Sequence, residues 1–299
     1  MKRKKIQHED ILVSIGLPVY NGEMFIKQAI ESVLGQSHKN IELIISDNAS
    51  TDNTSNICKQ YIEKDSRIRY LQQPSNKGVV ANFQIVLDES VGEFFMWAAC
   101  DDYWELNWVE TLLSKMIQDA SATGAIGKIV FVKECGEGIL NQSGNRISCN
   151  TQMSELSGGS YAIKRLISFL CNRNDMAIYA MFKRKCMNNM VLQTGPFTNK
   201  LFDLAFPLVY HMIYQGGLLV LPETTIYKRI HKKQYSSIIQ AGRVDSMRVH
   251  LNHVYLCYKQ LRAANASIIV SVAFTLYLFI YLSLVWIKYV FISIFSSQS

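Results

Sequence analysis

The chain has 299 residues, 49% of them apolar, which excludes a disordered polypeptide and suits one large domain or a domain with an appendage. Lys and Arg outnumber Asp and Glu by 31 to 24, a net charge of +7, concentrated in MKRKK at the start, KRK at 183–185 and KRIHKK at 228–233. Such clusters suit an anionic partner such as nucleotide phosphate or anionic lipid, although the ordinary reading of each is a solvated surface, and no aromatic or basic recognition motif marks a nucleic-acid binder.

In chain order, 12–17 reads as a short buried strand, followed by PVYNGE and a helix in which Phe25, Ile26, Ala29, Ile30, Val33 and Leu34 recur at threes and fours. A second strand spans 41–45, with Ile57 and Tyr61 marking the helix after it. A third short strand at 69–71 leads through PSNKG into a helix with Val79, Val80, Phe83, Val86 and Leu87 on its apolar face. A fourth at 94–98 ends at CDD, before a helix around Leu112, Leu113, Met116 and Ile117. This alternation predicts parallel βαβ units in a doubly wound sheet, where ligands bind beyond the carboxyl ends of the strands, and every polar cluster falls at such an end.

After Ala125 a strand runs to Val132, and 134–157, rich in Gly, Asn, Ser and Gln, reads as an irregular acceptor-side loop. A helix at 159–170, a strand at 178–182, a helix at 201–214 stopped by Gly216-Gly217, and a strand at 218–221 follow. The soluble part reads as one domain over 11–240, with a nucleotide-sugar half at 11–120, an acceptor half at 121–240, and a basic segment at 1–10 before it.

Seven cysteines, none in a CxxC pair, argue for a reducing compartment, and no apolar leader opens the chain. After a connecting helix at 241–265, the segment 266–287 is a dense apolar run; from Ala263 to Ile287 no residue is charged, a length of roughly 37 Å as a helix against a hydrocarbon core of about 30 Å. Two readings stand, a transmembrane or membrane-inserted helix and a helix buried against the domain or a partner subunit; the lack of a polar face favours the first. Arg243, Arg248, Lys259 and Arg262 precede the run and only Lys288 follows, which places the N-terminal part at the cytoplasmic face of the cell (inner) membrane.

At the strand ends, Asp47, Asp52, Asp101 and Asp102 are carboxylates suited to a ribose, a base or a divalent cation neutralising a diphosphate. Asp52 and Ser50 serve equally as helix N-caps. Asp101 and Asp102 leave a buried run side by side and repel unless a cation or solvent screens them.

The segments VSIGLPVYNGEMFIKQAIESVLGQSHKNIELIISDNASTDNT, NKGVVANFQ and ACDDYW together resemble family 2 glycosyltransferases of the GT-A fold. The resemblance implies an α/β, GT-A (Rossmann-like) mostly parallel sheet flanked by helices, and an inverting transferase that uses Mg2+ or Mn2+. Its donor would be a nucleotide-diphosphate sugar and its acceptor a glycan or polyprenyl-linked molecule, in cell-surface polysaccharide biosynthesis. By position, Pro18, Tyr20, Asn21 and Glu23 would line the nucleotide pocket, Asp47 would contact the base, and Asn76 and Gly78 would lie near ribose and base. Asp101 would be the metal-binding end of the family's DxD motif, with Asp102 helping or facing the acceptor; the motif's first acid is replaced by Ala99. KLFDLAFPLVYHMIYQGGLLVLPE resembles the segment supplying the general base, which makes Asp203 the candidate, with Phe202 in place of the usual preceding acid. YKRIHKKQYSS resembles the closing signature whose histidine, His231, approaches the metal or diphosphate. A non-catalytic membrane-associated relative remains the alternative; a dinucleotide-dependent oxidoreductase does not, because GLPVYNGE stands where GxGxxG would be required.

Overall fold

The computed structural model describes residues 8–139, 148–149, 175–188, 190, 192, 209 and 211–231. The expected helices at 159–170, 241–265 and 266–287, and most of that at 201–214, lie outside them, as does Asp203. Among the described residues no helix is long and apolar enough to cross a membrane.

The sheet is built around β1 (Val13–Val19), every residue of which is buried, as continuous apolar sequence requires of a strand covered on both faces. β2 (Ile41–Asp47), equally buried, and β4 (Phe94–Trp97) flank it in parallel, and β3 (Ile68–Gln72) extends the sheet beyond β2. Between them run α1 (Ile26–Leu34), α2 (Thr54–Ile62) and α3 (Val79–Asp88), the first burying Ile26, Ala29, Ile30 and Val33 at helical spacing. Pro18 sits in the central strand without losing a ladder bond. Gly16 O accepts from Ala98 N at 2.8 Å, so the even residues of β1 face β4, and pairing with β4 stops at Gly16, before Pro18.

The second half departs from a mostly parallel sheet. β5 (Tyr103–Trp104) and α4 (Trp108–Gln118) lead into β6 (Ala122–Val132), and β8 (Met181–Lys183) lies antiparallel between β4 and β6. β9 (Gly217–Arg229) is parallel to β6 and antiparallel to β5, while β7 (Ser148–Cys149) pairs antiparallel with β6. The sheet is therefore mixed, in the order β3-β2-β1-β4-β8-β6-β9-β5. The strand expected at 178–182 is shorter, because Asp175–Tyr179 forms a 3-10 turn in which Ala180 N donates to Ala177 O.

β9 is far longer than the expected 218–221. Its register with β6 jumps from Gly127–Leu221 to Lys128–Thr225, so Pro222 to Thr224 bulge out and the strand resumes. The polar PET insertion breaks the apolar run, which is why periodicity alone ends the strand early. Gly127 permits the crossing: a Cβ there would meet Thr224 O at 2.5 Å and the Trp108 ring at 2.4 Å. The resumed strand carries Lys228 and Arg229 to the carboxyl end of β4. Downstream of the 211–215 helical residues, Gly216 N donates to Met212 O and β9 starts at Gly217, the stop expected there.

Candidate active site

The carboxyl ends of β1, β2 and β4 gather the polar segments on one edge of the sheet. Asn21 takes a left-handed backbone (φ 52°), and its N–H donates to Ser50 Oγ while its Oδ1 accepts from Thr51 N at 2.8 Å. Glu23 exchanges bonds with the same loop: its N–H donates to Asp52 Oδ2 and its Oε2 accepts from Asn53 N. The polar atoms of Asn21 and Glu23 thus clamp the loop after β1 onto that after β2. Tyr20, 47% exposed, stands at the rim with its ring available to a planar ligand. Asp52 also accepts from the N–H of Thr54, the first residue of α2, for which Asn53 is the N-cap.

Asp47 is fully buried at the end of β2, where Oδ1 accepts from Ser50 N at 2.8 Å and Oδ2 from the Tyr70 hydroxyl at 2.7 Å. Burial first, and the adjoining Asp47 charge, push the Tyr70 hydroxyl well above its ordinary value, so it remains a donor. Asn48, next in sequence, holds the turn before α3: Nδ2 donates to Asn76 Oδ1 and Gly78 O, and Oδ1 accepts from Lys77 N. Gly78 adopts φ 83°, ψ 162°, which a side chain would strain. Asn82 spans the floor, donating from Nδ2 to Val19 O and Ser46 O and so tying the ends of β1 and β2. Asn48 and Asn82 were not singled out in sequence; both stand inside the quoted motifs, but only tertiary structure shows where an amide points.

The two aspartates after β4 face different ways. Asp102 has no exposed surface; Oδ1 accepts from Arg229 N at 2.9 Å and Oδ2 lies 3.3 Å from Lys228 Nζ. Burial and the neighbouring Asp101 raise its carboxyl, Lys228 opposes the rise, and the balance lies at about 6. Lys228, itself nearly buried, also donates to the Tyr179 hydroxyl at 2.7 Å. The screening that adjacent carboxylates need is supplied here by Lys228 and a backbone N–H. Lys228 and Arg229 are therefore not a solvated surface: Arg229 is 4% exposed, donates to Asp101 O and Gln28 Oε1, and lies over the rings of Phe25 and Tyr103. The tie from Arg229 to Gln28, on α1, binds opposite ends of the chain around the cleft.

Asp101 is turned the other way, 2.8 Å from His231 Nε2 through Oδ2 and partly open to solvent. Burial would lift its carboxyl, but the His231 hydrogen bond and the Lys228 charge outweigh it and hold Asp101 below the usual range. The same hydrogen bond raises His231 above an ordinary histidine. The opposite ring nitrogen of His231 lies 3.3 Å from Glu134 Oε1, and Phe25 packs against the ring. This arrangement sets a charged carboxylate, a protonatable imidazole and a buried cation beside the polar strand-end loops, chemistry suited to an anionic ligand and a hard cation.

Residues 14–186, more than half of the chain, match the family described as Glycosyl transferase family 2. An uncharacterized glycosyltransferase of Haemophilus influenzae is 38% identical over 108 residues, 36% of this chain and 43% of its own. The Escherichia coli UDP-Glc:alpha-D-GlcNAc-diphosphoundecaprenol beta-1,3-glucosyltransferase WfgD is 36% identical over 152 residues, 44% of this chain and 59% of its own. The chain thus spans less than two thirds of the length of either relative. Among solved structures, S. aureus TarS 1-349 in complex with UDP-GlcNAc superposes with a TM-score of 0.54 at 14% identity, covering 84% of this chain and 73% of that one, a likeness of fold.

Proposed function

As the chain belongs to glycosyl transferase family 2, we propose that it is an inverting transferase that moves a sugar from a nucleotide-diphosphate donor to a glycan or polyprenyl-linked acceptor in cell-surface polysaccharide biosynthesis. The observation that carries this reading is the meeting of Asp101, His231 and Lys228 beside the interlocked loops after β1 and β2. The donor bound by the TarS structure and the lipid-linked acceptor in the WfgD name support the substrate classes.

The donor's base and ribose would lie over the ends of β1 and β2, against the exposed Tyr20, Asn76 and Gly78, with Asn21 and Glu23 holding the loop that frames them. Pro18 and Asp47, expected to touch the ligand, are instead buried and would support it from beneath, Asp47 with both oxygens already engaged. The donor set fits a divalent cation: Asp101 is ionised and faces the cleft, His231 stands beside it, and the remaining positions fall to diphosphate oxygens and water. Mg2+ or Mn2+ held there would neutralise the departing diphosphate. Lys228 adds positive charge behind Asp101, and Arg229 fixes that loop through Asp101 O. Asp102, engaged by Lys228 and Arg229, would support the site from beneath. Asp203 would take the proton of the acceptor hydroxyl as it attacks the anomeric carbon opposite the diphosphate.

Asp203→Asn should lower transfer by about 100-fold or more while donor affinity stays within about twofold, because a general base acts on the acceptor. The readout is steady-state transfer beside calorimetric donor binding; unchanged transfer would move the base elsewhere. The apolar 266–287 segment would anchor the enzyme at the cytoplasmic face of the cell membrane, next to a lipid-carried acceptor. Truncation after Lys259 should then release the protein from sedimenting membranes; continued sedimentation would contradict the anchor.

A further inference from the structure

At the other edge of the sheet, His8 precedes β1, His38 precedes β2, and Glu110 lies in the first turn of α4. Along β1 that edge is roughly 20 Å from the donor-side loops, at ~3.3 Å per residue. We propose that His8, His38 and Glu110 form a second metal site, one that takes a single zinc-class divalent cation and pins the segment before β1 to α4.

One ligand atom from each of the three residues lies within 4.8 Å of the others. His8 Nδ1 is 3.4 Å from Glu110 Oε1, and His38 Nδ1 is 3.7 Å from Glu110 Oε2. Two ligands at ~2.0–2.1 Å from a tetrahedral zinc stand about 3.4 Å apart, so the two histidine–carboxylate spacings need only slight closure, with the histidine nitrogens, within 4.8 Å of each other, drawn in by the ion. They are longer than the ~2.7–2.9 Å of a charge-assisted hydrogen bond, so a direct ion pair fits them less well.

The outer contacts orient both rings. His38 Nε2 is 2.8 Å from Ile11 O, a carbonyl that can only accept, so Nε2 donates there and Nδ1 is the nitrogen turned to Glu110. Ser114 Oγ donates to Glu110 O at 2.7 Å, which leaves its lone pairs to accept from His8 Nε2 at 3.3 Å. Both histidines therefore turn Nδ1 toward one carboxylate, the arrangement in which a single cation between them would reach all three groups. Imidazoles steered by carbonyl or hydroxyl acceptors on the far nitrogen are the usual support of a zinc ligand. Two nitrogens and one carboxylate suit zinc better than Mg2+, which prefers an all-oxygen shell. Glu110 is 43% exposed, which leaves a fourth position for water.

The test is zinc titration of chelator-dialysed full-length protein against a competing chromophoric chelator, with cobalt(II) absorption and thermal melting as second readouts. One zinc per chain is expected, with d–d bands of a low-coordinate cobalt and a melting point raised by zinc. His8→Ala and Glu110→Gln, both at the surface and expected to fold, should each weaken binding about tenfold or more and remove the thermal shift, whereas Asp101→Ala should leave this zinc in place. Zinc binding that survives His8→Ala and Glu110→Gln, that is lost in Asp101→Ala, or that does not occur would overturn the site.

Discussion

Asp101→Asn is expected to lower turnover of the nucleotide sugar by about 100- to 1000-fold, or roughly 3–4 kcal/mol of transition-state stabilisation, with the fold intact. The amide keeps the shape of the carboxylate but not its charge. It can still touch His231, yet it cannot hold a divalent cation against the diphosphate. Asp101 sits on a partly open loop after β4 rather than in the core, so melting should move little. Turnover at saturating donor, with and without a chelator, is the measurement: the wild type should lose activity with chelator and regain it with Mg2+ or Mn2+, and the variant should respond weakly to either. Activity within about tenfold of wild type would remove Asp101 from the cation site.

Lys228→Met is expected to cost stability rather than chemistry alone, about 3–5 kcal/mol, because it strands the Asp102 carboxylate without its cation in a fully buried position. The Tyr179 hydroxyl loses its partner in the same step. Asp102→Asn/Lys228→Met should recover most of the loss, since an asparagine oxygen still accepts from Arg229 N and carries no charge. Urea denaturation of the two variants and of Asp102→Asn closes a double-mutant cycle. A loss below about 1 kcal/mol for Lys228→Met would mean that the pair behaves as a solvent-exposed bridge, and an unrescued double variant would mean that the charge is not the cause.

The legible part of the molecule was the half in which local pattern and topology coincide. Through α4, apart from the two-residue β5, each apolar run is one buried strand or one helix face, and successive strands alternate with helices. Thus 12–17, 41–45, 69–71 and 94–98 fall on β1 to β4. Past Ala122 that link breaks, because β8 pairs between β4 and β6 across a distance in sequence that no local period encodes. β9 hides its length behind the PET bulge, so KRIHKK reads as a solvated basic cluster when its first two residues, Lys228 and Arg229, end that strand inside the fold. The same limit applies to the site: an acid at a strand end is visible in sequence, whereas the division of labour between Asp101, open to the cleft, and Asp102, locked inward, depends on strands more than a hundred residues apart. Asn48 and Asn82 were hidden for a related reason, since their value lies in which carbonyls they reach.

The central claim is that the carboxyl edge of β1, β2 and β4 binds a nucleotide-diphosphate sugar. Isothermal titration of the full chain with a panel of nucleoside diphosphates and their sugars, in the presence of Mn2+, tests it most directly. One nucleotide should bind with one-to-one stoichiometry, and Asp101→Asn should weaken it about tenfold or more. Absence of binding by every member of the panel, or binding indifferent to both Mn2+ and Asp101→Asn, would contradict it.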